Sequence, residues 1–85
     1  MKKYYEFGCG MQFKYESEKS IGIPLAGGYT TANDTIVYFP KSQIVFSEPN
    51  EFGNRLLYIP KWLFIQKNID PYRLRDCNFH DEVSF

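Results

Sequence analysis

Two near-copies of one short pattern lie twenty residues apart, and they set the limits on what this chain can fold into. Ile36-Val37-Tyr38-Phe39-Pro40-Lys41-Ser42-Gln43-Ile44 is followed by Leu56-Leu57-Tyr58-Ile59-Pro60-Lys61-Trp62-Leu63-Phe64, with Tyr, Pro and Lys identical at matching places. β-Branched and aromatic residues favour a strand. Proline then ends it, because its nitrogen carries no hydrogen and its φ is fixed near −65°, which suits the first position of a helix. Each copy therefore predicts a strand running into a helical start. The copies diverge beyond that point. Ile44-Val45-Phe46 is β-favouring, so 40–43 reads as a single helical turn before a new strand. The second copy continues in helix-compatible residues to Lys67, and Trp62, Ile65 and Ile69 follow an i, i+3, i+7 stripe. Asn68 suits the left-handed position after a helix, with Ile69 packing back, so the expected helix covers about 60–67.

Upstream, Tyr5, Phe7, Cys9, Met11, Phe13 and Tyr15 alternate with Glu6, Gly8, Gly10, Gln12, Lys14 and Glu16. Period two marks a strand with one face buried. Gly8 and Gly10 either bend one long strand or form the turn of a hairpin joining 4–7 to 11–16, and the hairpin is favoured because the run is long for one strand of a small domain. Ile21, Ile23 and Leu25 predict a short strand over 20–25, with Pro24 at an edge or at the strand end. Residues 26–34 read as a loop centred near Tyr29, and 47–54, rich in Pro, Asn and Gly, as a turn region. Asp70-Pro71 has the chemistry of an N-cap followed by the first helical residue, which predicts a turn or short helix over 71–76. Residues 78–85 are polar and expected to form a loosely ordered tail. The sum is an α+β class: a small, mostly antiparallel sheet of about five short strands with one short helix.

A chain of 85 residues makes a single domain, 1–85, and domains of this size have little core to spare. Aromatics compensate here. Eight Phe, seven Tyr and one Trp exceed what one small core can hold, so some rings should be exposed, where rings often mark contact sites. Ten Lys and Arg balance ten Asp and Glu. That balance argues against a general nucleic-acid binder, whose affinity comes mainly from neutralising phosphates. A mild basic bias over 41–75, from Lys41, Arg55, Lys61, Lys67, Arg73 and Arg75, keeps nucleic acid open as a second reading. The N-terminal Met-Lys-Lys-Tyr-Tyr-Glu lacks the apolar segment of a secretory signal, and no apolar run approaches a membrane span. The expectation is a cytoplasmic protein of a bacterial host cell, without membrane association. Cys9 and Cys77 make no disulfide framework and read as reduced, mostly buried thiols.

No constellation of catalytic type stands out, so the reading is a non-enzyme without cofactor or metal. Cys77-Asn78-Phe79-His80 is one C-x-x-H alone, whereas structural zinc sites pair such spacings. Gly8-Cys9-Gly10 lacks the third glycine and the helix of a phosphate-binding loop. The candidate contact residues are Tyr29, Lys41, Lys61, Trp62, Lys67, Arg73 and Arg75. Lys41 and Lys61 would be twin cations beside aromatic surface, set against the plain alternative in which Pro turns the chain and Lys points to water.

Over 36–69 the chain resembles a group of small phage and prophage proteins of poorly defined function. The residues that carry the likeness are Tyr38-Phe39-Pro40-Lys41-Ser42-Gln43-Ile44 and Ile59-Pro60-Lys61-Trp62-Leu63; it departs at Phe64-Ile65, which adds apolar surface to the helix. The resemblance implies a phage or mobile-element accessory protein and brings no catalytic residues. Leu57-Tyr58-Ile59-Pro60-Lys61-Trp62-Leu63 is also similar to the strand-to-helix step of AbrB-type swapped-hairpin transcription factors, but lacks their basic helix residues and closing Gly. The functional expectation is a module that binds a protein partner, as an inhibitor of host defence of the anti-CRISPR kind. The alternative is a nucleic-acid-binding domain that stacks bases on exposed rings. Open strand edges in so small a domain add a homodimer as a further expectation.

Overall fold

The computed structural model describes residues 3–10, 13, 15–25, 36–75 and 77–84. Among them, seven strands make two antiparallel sheets and one α-helix caps the core between them. The strands are β1 (Lys3–Cys9), β2 (Tyr15–Glu16), β3 (Ser20–Pro24), β4 (Ile36–Pro40), β5 (Val45–Phe46), β6 (Arg55–Pro60) and β7 (Cys77–Ser84). The helix is α1 (Lys61–Lys67), and 3₁₀ turns occupy Lys41–Gln43 and Pro71–Arg73. One sheet has the order β5-β6-β1-β7 and the other β2-β3-β4. The α+β class stands, with seven strands in place of about five.

The repeat folds as its residues dictate. Pro40 ends β4 and leads into the 3₁₀ turn before β5, while Pro60 ends β6 and leads into α1. Asn68 closes α1 at φ 55°, and the Ile69 N–H donates to the Phe64 carbonyl at 3.0 Å. Asp70 caps the second 3₁₀ turn, its carboxylate accepting from the Tyr72 N–H at 2.9 Å.

Three expectations need correction. The hairpin with a turn at Gly8-Cys9-Gly10 does not form: β1 runs through Gly8 to Cys9, and β2 belongs to the other sheet, paired with β3. Tyr5, Phe7 and Cys9 face one continuous core, as the alternation predicts for that half; Met11, Gln12 and Lys14 lie outside the described residues. The segment expected as a loose tail is β7, paired with β1 along its whole length from Lys3↔Ser84 to Cys9↔Cys77. Its polar sequence reflects an edge strand with one wet face. The helix buries Leu63 and Phe64, not the stripe through Trp62 and Ile65, both of which are exposed; of that stripe Ile69 alone packs against the core.

Phe64 is the centre of the packing. Its ring lies 5.8 Å from Phe7 of one sheet and 5.5 Å from Phe39 of the other, with Tyr5 edge-on at 5.2 Å. Leu57, Ile59, Ile21 and Ile23 complete the core on the two sheets. On the outer side of the smaller sheet, Gly22 lies opposite Tyr15 on one side and Tyr38 on the other. A Cβ there would sit 2.8 Å from Tyr15 Cβ and 2.8 Å from Tyr38 Cε1, so only glycine lets Tyr15 and the Tyr38 ring approach the strand this closely.

Candidate functional site

Lys41 and Lys61 occupy equivalent places, and each is held by a carboxylate. Lys41 Nζ lies 2.7 Å from Glu16 Oε2, and Lys61 Nζ lies 3.1 Å from Glu82 Oε1. The geometry repeats along with the sequence. From the end of β4, Lys41 reaches past β3 to a glutamate on β2; from the end of β6, Lys61 reaches past β1 to a glutamate on β7. The hydrogen bond from Lys41 holds the Glu16 carboxyl below the ordinary glutamate range, and the bond to Glu82 pushes the Lys61 ammonium up. Both lysines therefore serve first as strand-end ties. Lys61 in addition sits 6.0 Å from the centre of the Tyr5 ring.

Beside Lys61, the helix presents its unburied side. Because Leu63 and Phe64 enter the core, Trp62 and Ile65, three apart on the helix, emerge together; Trp62 is 51% exposed and Ile65 69%. They border a shallow hollow of about 390 Å³ whose floor includes Tyr4 and Pro60 and whose rim carries Lys3 and Lys61. The edge between α1 and the start of β1 thus joins an apolar floor to a polar rim that holds Lys3 and the Lys61–Glu82 pair.

The remaining candidate cations lie elsewhere. Lys67 and Arg73 line a separate hollow of about 430 Å³ with Tyr38 and Val37. Arg75 is exposed, and its backbone N–H donates to the Pro24 carbonyl at 2.8 Å. Arg55 opens β6, the strand Lys61 follows, and its guanidinium stacks 3.9 Å from the Phe46 ring centre. The six cations of the basic segment therefore do not gather on one face. Tyr29 lies outside the described residues.

A third hollow, about 580 Å³, opens at the other end of the four-stranded sheet, between Gly8, His80 and Asn78 and the turn carrying Asn50 and Asn54. β7 shifts register between Asp81, opposite Glu6, and Phe79, opposite Phe7, which leaves His80 as the extra residue of a bulge. Its imidazole lies over Gly8, where an added Cβ would be 2.7 Å from Nε2, and its Nδ1 is 3.5 Å from Glu6 Oε1. Glu6 also bonds the Tyr58 hydroxyl; burial first, then that bond, pushes the Tyr58 phenol up. Cys77 points into the core while His80 sits on the outer face, so the C-x-x-H spacing does not converge on one point.

Sequence reasoning missed several exposed rings. Phe52 is 78% exposed in the turn after Pro49, Tyr72 is 74% exposed with its ring 4.6 Å from Phe79, and Tyr38 stands outward on β4. An aromatic inside a Pro/Asn/Gly-rich turn was the available signal for Phe52; for Tyr38, only the face of the strand decides. Among the described residues no helix is long and apolar enough to cross a membrane. Comparison with protein-family models, with curated proteins and with solved structures gave no match.

Proposed function

We propose that this protein is a non-enzymatic binding module that docks on another protein through the Trp62–Ile65 side of α1. The observation that carries the reading is the pairing of two large exposed apolar side chains with a hollow floored by Tyr4 and Pro60 and rimmed by Lys3 and Lys61. Tryptophan and tyrosine are the usual anchors of protein interfaces, and the Lys61–Glu82 pair and Lys3 give the apolar patch a polar border. The likeness of 36–69 to small phage proteins extends the proposal: an accessory protein of a phage or mobile element, acting in a bacterial cytoplasm against host defence machinery.

The test is affinity capture from a bacterial host lysate followed by titration of the recovered partner. Trp62→Ala with Ile65→Ser should weaken binding about 30-fold or more, as expected for an interface anchor, with the circular dichroism spectrum unchanged. Equal binding by the variant, or no stoichiometric partner, would sink the proposal. A nucleic-acid reading finds its support at Lys67, Arg73 and Tyr38, where cations and an exposed ring share a hollow. It requires retention of single-stranded oligonucleotide that weakens steeply with salt.

A further inference from the structure

The two cysteines, sixty-eight positions apart in sequence, are direct partners across β1 and β7: Cys9 is the last residue of β1 and Cys77 the first of β7, and the register sets one opposite the other. Both side chains are buried on the core face. Phe7 and Phe79, also direct partners, bring their rings to 5.7 Å, while the Cys9 thiol donates to the Arg55 carbonyl of β6 at 3.5 Å, so closure requires the Cys9 side chain to turn from β6 toward β7. Directly opposed residues of an antiparallel pair have Cα atoms about 4.5 or about 5.5 Å apart, depending on the type of pair. Either value falls within the roughly 4.4–6.8 Å span of disulfides. Cβ atoms opposed at about 4.5–5.5 Å need only a small approach to reach the disulfide separation.

We propose that Cys9 and Cys77 form a dithiol that closes to an intramolecular disulfide by exchange with a low-molecular-weight disulfide, tying β1 to the edge strand β7. Cys9 is among the residues lining the 580 Å³ hollow and keeps 6% of its surface exposed, and the first attack is assigned to it. Its thiolate attacks one sulfur of the reagent, forming a mixed disulfide and expelling a thiolate that takes up the released proton. The Cys77 thiolate then attacks the Cys9 sulfur, expelling the second reagent thiol. One disulfide is reduced to two thiols and the protein loses two hydrogens. Burial pushes the Cys9 thiol up, with the Arg55 guanidinium offsetting part of that effect, so exchange in the folded state is slow. The cross-link closes a loop spanning most of the chain, the arrangement in which a disulfide restricts the unfolded state most.

Folded protein is incubated with oxidised glutathione, or with dithiothreitol as control, and analysed by intact mass, non-reducing peptide mapping and thermal melting. The expected result is a loss of about 2 Da at monomer size, a peptide joining Cys9 to Cys77, and a melting temperature higher by about 10 °C or more. Cys77→Ser should instead hold glutathione, a gain of about 305 Da. Should that variant fail to fold, the wild-type peptide map decides on its own. Persistent glutathione on wild-type protein, cross-linking between chains, closure only in urea, or a lowered melting temperature would each overturn the proposal.

Discussion

Gly22 shows how one residue fixes the surface of the smaller sheet. Glycine in a strand ordinarily weakens it, yet here the missing side chain leaves the space that Tyr15 Cβ and the edge of the Tyr38 ring take up. Gly22→Ala should cost about 1–3 kcal/mol, the usual penalty of overpacking, because Tyr15 Cβ belongs to a neighbouring strand and cannot swing aside. Gly10→Ala meets no atom within 4 Å and should leave the denaturation midpoint close to that of the wild type; urea titration of both variants checks the contrast. Glu16 gives the second residue-scale prediction. Its folded carboxyl is held low by Lys41, so its contribution is present above the ordinary glutamate range and is lost as the pH falls through the folded value. The difference in melting temperature between wild-type protein and Glu16→Gln should therefore be present at neutral pH, favour the wild type, and shrink toward zero in acid. Exposed ion pairs contribute about 0.2–1 kcal/mol, so the shift will be small.

At the scale of elements, what could be read in the sequence was local chemistry. Pro40 and Pro60 as strand ends, Asn68 in a left-handed cap and Asp70 as an N-cap each follow from the conformational limits of a single residue, and each is found in place. The buried side of α1 was not legible. Trp62, Leu63, Phe64 and Ile65 are consecutive large apolar residues, so a helix of seven residues offers an apolar stripe in every direction. The choice falls to the two sheets, whose phenylalanines leave room for one more ring, that of Phe64. Two substitutions separate the faces. Phe64→Ala should cost about 3–5 kcal/mol, while Ile65→Ala, 69% exposed, should stay within about 0.5 kcal/mol of wild type. Chemical denaturation measures both, and a reversal would place the core on the other side of the helix. The candidate site was half legible for the same reason. Lys61 and Trp62 stood out by the repeat, but Tyr4 and Pro60 join them only because β1 pairs with β6, a contact across more than fifty residues.

For the whole molecule, the partition of the alternating segment 5–15 between two sheets was beyond sequence pattern, because periodicity states which face is buried and not which neighbour a strand acquires. The same limit hid β7, whose Asp81 and Glu82 look like tail residues until they are set beside β1. The consequence is testable. Chain ending at residue 76 should lose its cooperative unfolding transition, since it removes one whole side of the central strand and leaves Phe7 without Phe79. Calorimetry of that truncation should show no peak, and a sharp one would mean β7 is dispensable.

The position of β1 also governs the order of assembly. β1, the first of the described strands, is bordered by β6 and β7, so neither of its edges can be filled until those later segments have been synthesised. The three-stranded sheet, whose neighbours follow one another along the chain, can assemble first. The larger sheet must close afterwards around a strand that has waited exposed, with Phe7 and Tyr5 unprotected in the interval. Loop closures of that length slow folding, and they make this strand the segment on which a chaperone would have most to hold.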